Sequence, residues 1–191
     1  KIINLQNGKI PIFEPGLESL FLEGLNKKKL SFTSEVKNAL TNTDAIIICV
    51  GTPDSGTGAT NLKFVLSAAD TIAETLTKSA PVLIKSTVPV GTASRIETKI
   101  KSKIEERKID IEIPVASNPE FLHEGVAISE FQKPDRIILG TKDNHLINIA
   151  KDIYKDFIDK DGPSDTFMFK YHLRKRANPR LTTDLIDLRY D

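Results

Sequence analysis

Two carboxylates, a turn and two apolar anchors fall within one short run of this chain, Ser117-Asn118-Pro119-Glu120-Phe121-Leu122-His123-Glu124-Gly125. Pro119 fixes its own φ and pushes Asn118 out of the helical region, so the run reads as a loop leaving a strand over residues 111–116. If the chain turns helical after Pro119, Glu120 and Glu124 stand four residues apart on one face. Like charges at that spacing repel, which makes one of them easier to protonate, as acid–base work near neutral pH requires. The commoner reading of such a pair is a solvated acidic helix start, favoured by the helix dipole. Only partners elsewhere in the chain turn the run into a site.

Those partners must be carried by the elements that precede it. Residues 45–50, AIIICV, are continuously apolar and β-branched, as expected of a parallel strand covered on both faces. A loop rich in Gly, Ser and Thr follows Gly51-Thr52-Pro53, and Asn61 caps a helix whose apolar positions Leu62, Val65, Leu66, Ala69, Ile72, Ala73 and Leu76 keep helical spacing. A strand over 81–85 ends in Ser86-Thr87-Val88-Pro89-Val90-Gly91, and a helix with Ile96, Ile100 and Ile104 on one side leads to the strand over 111–116. A short helix over 126–131, a last strand over 136–140 and a helix over 146–157 complete the alternation. Upstream, a short apolar start and a loop lead to the turn Phe13-Glu14-Pro15-Gly16, an amphipathic helix bearing Leu17, Leu20, Phe21 and Leu25, a short strand over 31–33 and a helix over 35–40. Strands alternating with helices mean an α/β fold with a parallel sheet, in which ligands bind beyond the carboxyl ends of the strands. The loops 51–60, 86–91 and 117–125 lie at that edge and are expected to converge on one cleft.

Bulk properties narrow the classes. The chain has 191 residues, room for one sizeable core, and its 27 Lys plus Arg against 26 Asp plus Glu leave a net charge of +1. No long-range field points to nucleic acid or to an anionic membrane, and no apolar run approaches a membrane span. The one cysteine, Cys49, falls inside the apolar run and reads as a small core residue in a reducing compartment. A soluble, cytoplasmic protein is expected, with no metal site. Residues 170–180 collect Lys170, Arg174, Lys175, Arg176 and Arg180 without aromatic interleaving, so a solvated tail is the simpler reading.

Taken in order, Ile10-Pro11-Ile12-Phe13-Glu14-Pro15-Gly16-Leu17, Val50-Gly51-Thr52-Pro53, Lys85-Ser86-Thr87-Val88-Pro89-Val90-Gly91-Thr92, the 118–125 run and Pro134-Asp135-Arg136-Ile137 resemble the UDP-glucose dehydrogenases of the UDP-glucose/GDP-mannose dehydrogenase family. The likeness covers roughly residues 1–157 and is far more specific than a lone glycine pattern. Relatives acting on GDP-mannose or UDP-N-acetyl sugars share much of it, and Lys85 before the Ser-Thr-Val-Pro run looks most like the UDP-glucose branch. The resemblance implies oxidation of the sugar's C6 alcohol to a carboxylate in two hydride transfers to NAD, through a thioester on a cysteine. It implies that Thr87 and Glu120 hold a catalytic water and take up protons, and that Glu124 lies against the nicotinamide side. It places Val50, Gly51, Thr52, Pro53 and Thr87 along the cofactor, and the edge formed by Glu120, Phe121 and Leu122 against UDP-glucose. The complete enzyme is expected to be a homo-oligomer. Without its neighbours Thr87 reads as a strand-end hydroxyl satisfying a turn, and His123 as a surface residue.

The sequence departs from the family in three respects. The glycine-rich strand-turn-helix that holds a pyrophosphate, a unit of about 30 residues, is expected ahead of Lys1, as is the acidic residue for the ribose. The cysteine segment and the substrate-domain Lys, Asn and Asp are also outside the matching region, and Cys49 cannot stand in for the nucleophile. Residues 166–191 do not read as the family's continuation. The expectation is therefore an incomplete Rossmann-like, doubly wound parallel sheet over 1–159, lacking its first βαβ unit, followed by a divergent basic tail over 160–191, with poor or no turnover by this chain alone. The alternatives are a non-catalytic nucleotide-binding remnant or interaction module, and a sister nucleotide-sugar dehydrogenase.

Overall fold

Strand and helix alternate as the apolar periodicity requires in the computed structural model, which describes residues 1–134 and 136–157 and the backbone of two strands, Phe167–His172 and Asp184–Asp187. Strands β1 (Ile46–Ile48), β2 (Val82–Ile84) and β3 (Val115–Ser117) lie parallel in that order, with Ile47 beside Leu83 and Leu83 beside Ala116. Before them come α1 (Ile2–Gln6), α2 (Leu17–Asn26) and α3 (Val36–Leu40); between them run α4 (Lys63–Thr75) and α5 (Thr92–Arg107). After β3 come the short helix α6 (Ala127–Gln132), β4 (Arg136–Leu139) and α7 (Asn144–Tyr154), then the strands β5 (Phe167–His172) and β6 (Asp184–Asp187).

Alternation along the strands divides the core in two. Ile48, Val82, Ile84 and Val115 meet Val65, Ala69, Ile72, Ile96 and Ile100 of α4 and α5. On the other face Leu83 and Ala116 meet Leu139 of β4 and Leu146 and Ala150 of α7. Each large side chain so buried contributes about 1.5–3 kcal/mol. The guanidinium of Arg107 joins the helices by donating to the carbonyls of Ala73 and Leu76 at the end of α4. Among the described residues no helix is long and apolar enough to cross a membrane.

Several expectations are corrected. Residues 45–50 are covered on one face only. Ile47 is 45% exposed and Cys49 is exposed, so Cys49 is not a core residue. Both side chains share the face of Leu83, and the helix on that face, α7, packs over β2 and β3 without reaching β1. The strand before the carboxylate run begins at Val115 and not at 111, because Pro114 has no N–H for the ladder; its carbonyl still accepts from Val82. Residues 31–33 form no strand: Phe32 stacks on Phe21 with ring centroids 5.3 Å apart, and its carbonyl accepts from Gln6 Nε2. The short apolar start is helical, as α1. Finally, β4 is not a fourth parallel strand. It touches β3 through one antiparallel bridge, Ser117 to Gly140, and otherwise pairs in parallel with β5, which in turn pairs antiparallel with β6. The basic side chains of residues 170–180 lie outside the described residues.

Candidate functional site

All three parallel strands deliver a loop to the same edge. The first two are joined by Ser86, whose hydroxyl donates to the carbonyl of Val50 (2.7 Å) and accepts from its N–H (2.9 Å). This fixes where Val50, Gly51, Thr52 and Pro53 leave β1 relative to Thr87. Beyond them residues 54–60 close on themselves: Asp54 Oδ1 accepts from the amides of Gly56 and Gly58, and Asp54 bridges to Thr60.

The third loop starts from a buried anchor. Asn118 is fully buried (0% exposed) and is satisfied on three sides. Its backbone N–H donates to Ile84 at the end of β2 (2.9 Å), Nδ2 donates to Ile138 of β4 (2.8 Å), and Oδ1 accepts from the Tyr154 hydroxyl of α7. Burial pushes the Tyr154 phenol above its ordinary pKa, over the opposing pull of that hydrogen bond, so it remains a donor. The chain does not turn helical after Pro119. Glu120 folds back so that its Oε2 accepts from Leu122 N–H (2.6 Å), a tight turn that removes Glu120 and Glu124 from any common helical face. His123 donates its backbone N–H to Glu130 Oε2 (2.7 Å), and its ring Nδ1 pairs with Glu130 Oε1 (2.8 Å). The amide, then the ring, holds the Glu130 carboxyl below the usual carboxylate range. Gly125, at φ 90°, and Ala127 donate their N–H groups to the two carboxylate oxygens of Glu14, at 2.7 and 2.9 Å.

Glu120, Phe121 and Leu122 share a cavity of about 410 Å³ with Lys85, Arg136 and Tyr154. The Lys85 ammonium stands 5.5 Å from the Tyr154 ring centroid and 5.9 Å from that of Phe131. Burial pushes its pKa down, against the opposing pull of Cys49 and Glu120. The Arg136 guanidinium lies 4.9 Å over the Phe121 ring. Cations over aromatic faces, beside a carboxylate, can hold an anionic group and a ring while moving a proton. Cys49 is open over much of its surface, which governs reagent access. Enough protein surrounds the thiol that burial raises its pKa, so it is a poor nucleophile near neutral pH. A second cavity, about 560 Å³, lies on the other side of Pro119 between Val88, Gly91, Glu97, Ser117 and Thr141.

The structure thus brings Glu120, Phe121 and Leu122 into one cavity. Thr87 and Glu124, both exposed, line neither of these two cavities, and neither do Val50, Gly51, Thr52 and Pro53; of the three loops, 86–91 and 117–125 meet in the second cavity through Val88, Gly91, Ser117 and Pro119. His123 is exposed, as expected of a surface residue. Among the described residues no group of His, Cys, Asp and Glu is arranged to hold a metal. The first loop is open: Gly51 is exposed, and a Cβ built on it would meet nothing within 4 Å. Sequence reasoning missed Asn118, Tyr154, Glu14, Arg136 and the aromatic setting of Lys85. Only Tyr154 carried a local signal, because Leu146, Ala150 and Tyr154 recur at helical spacing and a buried phenol requires a partner.

Residues 1–158 match the NAD binding domain of the UDP-glucose/GDP-mannose dehydrogenase family. Over 158 residues the chain is 37% identical to a UDP-glucose 6-dehydrogenase of Pseudomonas aeruginosa, an alignment covering 83% of this chain and 35% of that enzyme. It superposes on a UDP-glucose dehydrogenase from Pyrobaculum islandicum with TM-score 0.74 and 36% identity, covering 82% of this chain and 36% of the other. A GDP-mannose dehydrogenase of Pseudomonas aeruginosa, solved as a ternary complex, gives TM-score 0.76 at 31% identity over 82% of this chain and 36% of that one. The chain spans about a third of the length of these relatives. A Rossmann-like parallel sheet, loops gathered at its carboxyl edge and a family match over most of the residues lead to one assignment: the chain belongs to the UDP-glucose/GDP-mannose dehydrogenase family, with residues 1–158 matching that family's NAD-binding domain.

Proposed function

We propose that the chain carries the cofactor half of an oxidoreductase that converts UDP-glucose to UDP-glucuronate. The observation that carries this reading is the cavity at the end of β2 and β3: Lys85, Arg136 over Phe121, and Glu120 fit a phosphate, a ring and a reacting hydroxyl within one volume. The names of several relatives, UDP-glucose 6-dehydrogenase, agree with it. Bound NAD would supply the hydride acceptor. Glu120 takes up the proton released from the C6 hydroxyl, and the Thr87 hydroxyl helps to order a water for it. Glu124 stands on the cofactor side, Val50, Gly51, Thr52 and Pro53 line the dinucleotide, and the edge of Glu120, Phe121 and Leu122 receives the nucleotide sugar. The complete enzyme would be a cytoplasmic homo-oligomer.

A second reading, nucleotide binding without turnover by this chain, is favoured by the open face of β1. Ile47 and Cys49 are exposed there, and among the described residues no strand pairs with the outer edge. Isothermal titration of the purified chain with NAD and, separately, UDP-glucose tests both readings, alongside NADH absorbance in a turnover assay. Binding without turnover is the expected result. NADH production would overturn the second reading, and a chain folded by circular dichroism that binds neither ligand would overturn the first.

A further inference from the structure

We propose that Glu14 is a positioning residue that latches the 120–127 loop from a distant segment. Helix α6 begins without a side-chain cap of its own, because Val126 at its N-cap position offers no acceptor. Glu14, 111 and 113 residues away in sequence, accepts instead from the amides on either side of that N-cap: Oε2 from Gly125 N–H at 2.7 Å and Oε1 from Ala127 N–H, the first of the helix, at 2.9 Å. One carboxylate accepting two amides is a charge-assisted, geometrically specific contact. The segment that bears it is itself held. Leu17 N–H donates to the Glu14 carbonyl at 3.0 Å, Gly16 takes φ 82° to start α2, and a Cβ built on Gly16 would lie 3.9 Å from Ile128 of α6.

The loop is therefore fixed at three places: Asn118 at its start, Glu130 on His123, and Glu14 at Gly125 and Ala127. The last attachment comes from the segment farthest away in sequence, ahead of the parallel sheet. Gly125 directly follows Glu124, so releasing Glu14 frees the one carboxylate of the loop placed on the cofactor side. The link to affinity rests on the function proposed above, whereas the latch itself does not.

The test compares the 191-residue chain with Glu14→Gln and Glu14→Ala by ¹⁵N amide exchange and by NAD titration. Losing charge-assisted bonds should speed exchange at Gly125 and Ala127 by about tenfold or more in Glu14→Ala. Glu14→Gln keeps one acceptor oxygen and should be intermediate, with the urea midpoint nearly unchanged in both variants. NAD affinity should fall in the same order, more than affinity for UDP-glucose. A merely structural role would move both ligands together with the urea midpoint. Unchanged exchange of both amides in either folded variant overturns the latch, and freed amides with unaltered NAD affinity overturn its role in positioning. If the unsubstituted chain binds neither NAD nor UDP-glucose, the proposed function fails while amide exchange still decides the latch. Should Glu14→Ala not fold, Glu14→Gln is read on the same amides.

Discussion

Removing the Tyr154 hydroxyl should destabilise the chain far more than one lost oxygen atom suggests. Tyr154 is 4% exposed and Asn118 0%, and the phenol is the donor recorded for Asn118 Oδ1. Tyr154→Phe keeps the ring and its apolar contacts, so the change isolates one buried acceptor left without a partner, a cost of about 1–3 kcal/mol. For a domain of this size that lowers Tm by about 2–4 °C per kcal/mol. Asn118→Ala strands both the phenol and the Ile138 carbonyl and opens a small cavity, so about 3–5 kcal/mol is expected. The two substitutions share one hydrogen bond and should not add: in the Asn118→Ala background Tyr154→Phe removes an already unpaired hydroxyl, leaving a coupling of about 1–2 kcal/mol. Urea melts followed by far-ultraviolet circular dichroism measure all four forms. There is also an alkaline signature. Because the folded pKa of Tyr154 is raised above the unfolded value of about 10, the native state holds this proton more tightly. Its contribution is then full below that value and lost as pH rises through the folded pKa, a slope that Tyr154→Phe should abolish. Tyr154→Phe within about 0.5 kcal/mol of the unsubstituted chain, or strictly additive single changes, would refute the reasoning.

Lys85 is expected to behave as a partly desolvated amine. Its folded pKa lies below the unfolded value of about 10.4, so the unfolded state binds more protons between the two; the burial penalty is full below the folded pKa and relieved as pH rises toward the unfolded one. Peptide-mapped acetylation should give Lys85 a pH midpoint below that of a free lysine amine, and a midpoint at or above it would contradict the desolvated setting. Ile47→Lys places a charge on the open face of the edge strand β1 and should reduce concentration-dependent light scattering, with a stability change under about 1 kcal/mol; scattering unaltered by the substitution would show that this face does not drive association.

What was legible in the sequence was what local periodicity controls. The helices α4 and α5 declare themselves through Val65, Ala69 and Ile72 and through Ile96, Ile100 and Ile104, and those are the residues buried between helix and sheet. The three loops at the carboxyl edge of the sheet follow from the βα alternation. What failed depends on contacts that no window of sequence contains. Exposure of Cys49 is decided by how far α7 reaches across the sheet. The course of the chain after Pro119 is decided by Glu120 capturing Leu122 N–H, and α6 is capped from a segment 113 residues away. Pairing of β4 with β5 instead of a place in the parallel sheet is likewise a matter of the partner available, since Arg136 to Leu139 would suit either.

The carboxylate loop is held differently from the scaffold that carries it, and this difference separates fold from site. Phe121 and Leu122 are 44% and 38% exposed, so burial contributes little to the loop's conformation. Its shape comes from three glutamates acting on main-chain amides: Glu120 on Leu122, Glu130 on His123, and Glu14 on Gly125 and Ala127. Asn118, where the loop begins, is instead tied into β2, β4 and α7 by fully buried bonds. Damage at Asn118 or Tyr154 must therefore appear as lost global stability, because the buried partners left behind belong to the core. Damage at Glu14 leaves exposed or half-exposed amides that water can satisfy, so the core persists while the loop loses its fixed course. That arrangement leaves the Phe121 and Leu122 side chains unspent on the core and open to the cavity shared with Lys85 and Arg136, where a ligand would meet them.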